Sequence, residues 1–195
     1  MLAELLSSWV TGIITASGYL GVFLLMAGES ACLPIPSEVV LPFAGYVAFQ
    51  GSFDLVIAVL VATFGQLFGA LVAYYVGAWG GRPLVEKYAR ILDHGHLQTA
   101  ERWFEKWGDK AVFISRLTPI VRTFIAFPAG LARMDLKKFA LYTFVGSLIW
   151  TAVLTYVGYY LGPYWKDIVG IFDKLDIAVV MIFIIAIIYL WRKRR

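Results

Sequence analysis

Apolar residues in this chain run in long uncharged blocks, and the blocks define its elements. Residues 9–27 carry no charge over 19 positions, close to the roughly 20 that a helix needs to cross a bilayer. Residues 55–79 form a second uncharged block, 139–161 a third, and 177–191 a shorter fourth that is expected to begin before Asp176 with charges at the interface. Between 82 and 110 the pattern changes: Arg82, Lys87, Arg90, Arg102, Lys106 and Lys110 alternate with Glu86, Asp93, Glu101, Glu105 and Asp109, and Trp103, Phe104 and Trp107 supply an apolar stripe. That pattern predicts amphipathic helices along a membrane surface. The turn QGSFD at 50–54 ends in a helix-capping residue, Asp54.

Two further apolar stretches are broken by prolines and carry charges. Residues 28–49, GESACLPIPSEVVLPFAGYVAF, hold Glu29, Pro34, Pro36, Glu38, Pro42 and Gly45; residues 113–134, FISRLTPIVRTFIAFPAGLARM, hold Arg116, Pro119, Arg122, Pro128 and Gly130. An arginine at bilayer depth costs at least a few kcal/mol unless it meets a partner or water. Proline removes a backbone donor and glycine permits a tight reversal. Non-helical backbone at that depth is tolerated only inside protein or along a wet cavity. Both stretches are therefore expected to be re-entrant helical hairpins, one acidic and one basic, enclosing a polar cavity.

The chain also repeats. Gly65, Leu67, Tyr75, Val76, Gly77 and Gly81 recur as Gly146, Leu148, Tyr156, Val157, Gly158 and Gly162, at a constant offset of 81. Two copies of one unit, each a broken polar hairpin followed by a spanning helix, is a pattern of secondary transporters. The expected architecture is a single all-α membrane domain over 1–195: repeat 1 at about 19–81, a cytoplasmic amphipathic segment at 82–110, repeat 2 at about 111–162 and a C-terminal helix at 177–191. Gly65, Gly69, Gly77 and Gly81, spaced by four or eight, let another backbone approach closely; they permit a homodimer without requiring one.

Composition agrees with this class. Of 195 residues, 61% are hydrophobic and 15% charged, which excludes an ordinary soluble domain and a disordered one. The net charge of +4 sits at the flanks of apolar blocks, and no nucleic-acid-binding signature accompanies it. Cys32 is the single cysteine, so no disulfide framework is expected. His94 and His96 lack further ligands nearby in sequence, so neither a metal nor a cofactor is expected. Both histidines lie outside the apolar blocks and no HExxH occurs, so the chain is not expected to be an enzyme. No Lys or Arg precedes residues 9–27, unlike a signal peptide, and this helix is expected to persist in the mature protein.

Topology follows from the basic residues. None occurs in the first 81 positions; they cluster at 82–110, 133–138 and 192–195. The positive-inside rule places all three clusters in the cytoplasm, which requires 111–132 to enter and leave on one side. Both termini are then cytoplasmic, and the two hairpins approach the midplane from opposite faces.

The pieces GESACLPIPSEVVLPFAGYVA and FISRLTPIVRTFIAFPAGLARM resemble the DedA family of bacterial membrane proteins, also called the SNARE-associated or VTT-domain family, over roughly 19–162. The resemblance implies opposed re-entrant hairpins in an inverted repeat, a place in the bacterial cytoplasmic membrane, lipid translocation and a link to the proton motive force. It implies undecaprenyl phosphate as the cargo in carrier-lipid recycling, with phosphatidylethanolamine moved by other members and scrambling by eukaryotic relatives. Its acidic pair corresponds to Glu29 and Glu38 and its arginine pair to Arg116 and Arg122; some members carry Gly-Asp where this chain has Ser37-Glu38. Arginine suits a phosphate because its planar fork matches the oxygens bidentately. Glu29 and Glu38 are then expected to pair with the arginines or to carry a coupling proton. Two alternatives stand beside this: a static ion-pair cluster tying the hairpins together, and a proton-coupled exporter of small ions or drugs.

Overall fold

In a computed structural model the described residues are 2–33, 35–92, 94–118 and 121–164, with backbone alone at 2–8, 82–92, 94–98 and 100. The expectations for Pro34, Pro119, the side chains of His94 and His96, and the helix at 177–191 fall outside these. Every regular element among the described residues is helical: α1 (Leu2–Ser30), α2 (Ser37–Phe49), α3 (Leu55–Leu92), α4 (His94–Trp107), α5 (Lys110–Arg116), α6 (Val121–Phe124), α7 (Ala126–Leu131) and α8 (Leu136–Tyr160). Among the described residues, three stretches are long and apolar enough to cross a membrane: Trp9–Ser30, Leu55–Gly81 and Leu136–Tyr160, of 22, 27 and 25 residues.

Local chemistry sets the boundaries. Asp54 precedes α3 and its Oδ1 accepts from Ile57 N at 2.9 Å, as QGSFD predicts; Asp135 does the same for Lys138 N at the start of α8. The spanning part of α3 ends at Gly81, whose φ of 61° breaks the helix before the amphipathic segment. Past that break the backbone is helical through 92, and α4 follows, its Trp103 and Phe104 packing against the cluster of buried side chains around α7.

Proline and glycine act differently from a simple hairpin plan. Pro128 is the third residue of α7, where a backbone N–H has no helical acceptor in any case, so the helix tolerates it. Gly130, expected at a reversal, lies within α7; the chain turns after it. There Arg133 (φ 50°) takes the left-handed conformation, with Met134 N bonded to Ala129 O and Arg133 N to Gly130 O. Gly51 (φ 78°) ends α2 with the same pair of bonds, Ser52 N to Val47 O and Gly51 N to Ala48 O.

The glycines of the short helices serve close approach instead. A Cβ on Gly45 in α2 would fall on Thr155 O and Tyr159 N of α8, and one on Gly158 would fall on the Pro42 backbone. A Cβ on Gly130 in α7 would fall on Tyr74 O and Ala78 N of α3, and one on Gly77 would fall on Phe127 O. The two sets match position for position, shifted by 81 residues along the long helices and by 85 along the short ones. Gly65 and Gly146, also 81 apart, admit α1 at Phe23 and α5 at Phe113 and Arg116. Each long helix thus carries one partner from its own half of the chain and one from the other half.

Candidate functional site

The charged residues singled out by the sequence meet where these helices converge. Glu29 lies in the last turn of α1, which closes through Cys32 (φ 71°), with Leu33 N bonded to Gly28 O and Cys32 N to Glu29 O. A carboxylate at a helix C-terminus faces the negative end of the macrodipole, so it needs a cation close by. Arg122, in the single turn of α6, provides it: Nη2 donates to Glu29 Oε1 at 2.7 Å. The same nitrogen donates to Ser37 Oγ at the start of α2, and the guanidinium carbon lies 4.9 Å from the centroid of the Trp150 ring on α8. Thr123 Oγ1 also reaches Glu29 Oε1, at 3.4 Å, and the Cys32 thiol donates to Thr123 O at 3.2 Å, tying the end of α1 to α6.

Arg116 ends α5 and is 2% exposed. Its Nη2 reaches Thr143 Oγ1 of α8 at 3.5 Å, and the missing side chain of Gly146 makes room for its stem. Both arginines attract Glu29 electrostatically and repel each other. Among the described residues, therefore, two buried guanidiniums share one buried carboxylate. Arg116 Nε, Arg122 Nε and Arg122 Nη1 are buried with no hydrogen-bond acceptor, as are Trp150 Nε1 and Ser147 Oγ. Buried donors without acceptors are rare and costly, about 1–3 kcal/mol each and more when charged. The arrangement is thus rich in donors and positive, suited to an acceptor-only anion such as phosphate or carboxylate.

Glu38 is placed apart. It is the second residue of α2, exposed, and no ion pair joins it to either arginine, although its charge is near enough to act on Glu29. Pro36 caps α2 and Pro42 lies inside it. No three of His, Cys, Asp and Glu come together as a metal-binding group among the described residues.

Sequence reasoning missed Ser37, Thr143, Ser147 and Trp150. A signal for two of them exists: Thr143, Ser147, Thr151 and Thr155 recur every fourth residue on an otherwise apolar spanning helix, and all four are buried. The stripe continues onto α3, where Thr63 Oγ1 meets Thr151 Oγ1 at 3.3 Å.

The chain matches the family model described as the VTT domain over residues 35–160. It is 31% identical to undecaprenyl phosphate transporter A of Bacillus subtilis, over 100% of this chain and 96% of that protein. It is 37% identical to an alkaline phosphatase-like protein of Lactococcus lactis subsp. lactis, over 91% and 88%. No solved structure matches. With 30% identity to protein DedA of Escherichia coli over 96% of this chain and 84% of that one, this membrane protein belongs to the VTT-domain, or DedA, family.

Proposed function

We propose that this protein translocates undecaprenyl phosphate across the bacterial cytoplasmic membrane, with Arg116 and Arg122 holding the lipid phosphate while the prenyl tail stays in the bilayer. One observation carries the reading: among the described residues, Arg116 is buried without a carboxylate partner of its own, in a site that has two guanidiniums for one carboxylate. The full-length similarity to a protein named undecaprenyl phosphate transporter A supports it.

In this reading α2 belongs to one re-entrant hairpin and α5 to α7 to the other, opposed across the membrane with both termini cytoplasmic. The matched glycine contacts favour an inverted repeat of about 19–81 and 111–162 within one domain. Pro36, Pro42 and Pro128 shape the two hairpins, and Gly45 and Gly130 seat them. Glu29 holds Arg122 until phosphate or a proton displaces it, and Glu38, on the exposed face of α2, passes the coupling proton. A homodimer is compatible with this scheme.

The test is leaflet transfer of undecaprenyl phosphate in proteoliposomes, with phosphatidylethanolamine as competitor. Selective transfer, lost in Arg122→Ala and in the charge-conserving Arg122→Lys, supports phosphate recognition; retention in Arg122→Lys points to a static ion pair. Equal movement of both lipids identifies a scramblase. Release of inorganic phosphate in the same vesicles replaces transport by hydrolysis, the chemistry suggested by the name of the Lactococcus relative. If neither lipid moves under an imposed proton gradient, the exporter reading takes over.

A further inference from the structure

We infer that α8 makes the arginine site selective for a phosphate monoester over a phosphate diester, with Ser147 and Trp150 as the residues that distinguish them. The inference rests on the reading of Arg116 and Arg122 as a phosphate site. Thr143, Gly146, Ser147 and Trp150 fall at i, i+3, i+4 and i+7, one face of the helix. That face meets both arginines: Thr143 bonds Arg116, Gly146 admits its stem, and the Trp150 ring lies against Arg122. Ser147 lies between these contacts and is 1% exposed.

The donors that remain define what fits. Arg122 Nη2 is already given to Glu29 and Ser37, and Arg116 Nη2 to Thr143. Besides Thr155 Oγ1, two turns beyond Ser147 on α8, five buried atoms are left without a partner: Arg116 Nε, Arg122 Nε, Arg122 Nη1, Ser147 Oγ and Trp150 Nε1. Guanidinium and indole nitrogens only donate, so the partner must be rich in acceptors. A diester offers two terminal oxygens, which accept about four hydrogen bonds; a monoester offers three, which accept about six. The terminal oxygens of the monoester can meet five donors at once, whereas those of the diester leave at least one unmet. A zwitterionic diester is disfavoured further, because its ammonium would join two guanidiniums beside a single buried carboxylate.

The experiment compares binding of undecaprenyl phosphate with that of its methyl phosphodiester, which keeps the same tail, to the full chain in detergent. Wild type is expected to prefer the monoester by roughly tenfold, the scale of a hydrogen bond to a charged group. Trp150→Phe keeps the ring over Arg122 and removes only the N–H, while Ser147→Ala removes only the hydroxyl. Each should narrow the preference severalfold by weakening monoester binding more than diester binding, without lowering the unfolding temperature of the lipid-free protein. Equal affinities in wild type, or a preference untouched in both variants, overturn the selectivity. If wild type binds both lipids equally and Arg122→Lys weakens both, the phosphate site stands without it; if wild type binds neither, both readings fall.

Discussion

The acidic and basic halves of this protein dock alike but are built for different work. α2 is one helix of 13 residues seated on α8, whereas the corresponding basic stretch is split into α5, α6 and α7, of 7, 4 and 6 residues, with only α7 seated on α3. α2 places its carboxylate, Glu38, on an exposed face; the broken segment buries both of its guanidiniums. A continuous helix can turn its charged residue outward, whereas a stretch broken into short helices carries its arginines into the interior where α1 ends. The shared glycine contacts fix the frame, and the break supplies the site.

The comparison can be broken first at the ion pair. Glu29→Gln leaves Arg122 buried beside a neutral amide and should destabilise the protein by about 3–5 kcal/mol, read by thermal unfolding in detergent. The double variant Glu29→Gln with Arg122→Gln should recover part of that loss, because no uncompensated charge remains on that pair. Next in size are the seats: Gly45→Ala and Gly130→Ala should each cost about 1–3 kcal/mol through overpacking, and by similar amounts. A large effect at one and none at the other would show that the two dockings are not equivalent. The helix ends give a smaller contrast. Gly51→Ala should cost, and Arg133→Gly should gain, roughly 1 kcal/mol, since both positions have positive φ and only one holds glycine. Smallest is Glu38→Gln, expected to change stability by no more than about 0.5 kcal/mol because the side chain is exposed. Under the proton-relay proposal it should still slow transport under a proton gradient.

The spanning helices were legible because 19 or more residues without charge leave few other choices, and Arg116, Arg122 and Glu29 stood out because charge in an apolar run is expensive. Glu38 looked equivalent to Glu29, since a carboxylate in an apolar run reveals nothing about which face it occupies. Ser37 and Trp150 were invisible because serine and tryptophan are ordinary in membrane helices, and their importance comes only from contacts with Arg122. Gly130 was read as a turn, but its lack of a side chain is used against Tyr74 and Ala78. One residue type solves both problems, and sequence alone does not separate them.

The crossed seating of α2 on α8 and α7 on α3 also bears on how the chain is made. α2 leaves the ribosome roughly a hundred residues before the helix that receives it, an interval on the order of ten seconds at cellular synthesis rates. During that interval its apolar, proline-containing length has α1 and α3 beside it but not its seat. The insertion machinery must therefore shelter an unfinished half until the second half arrives, and separately expressed halves should survive only when they are produced together.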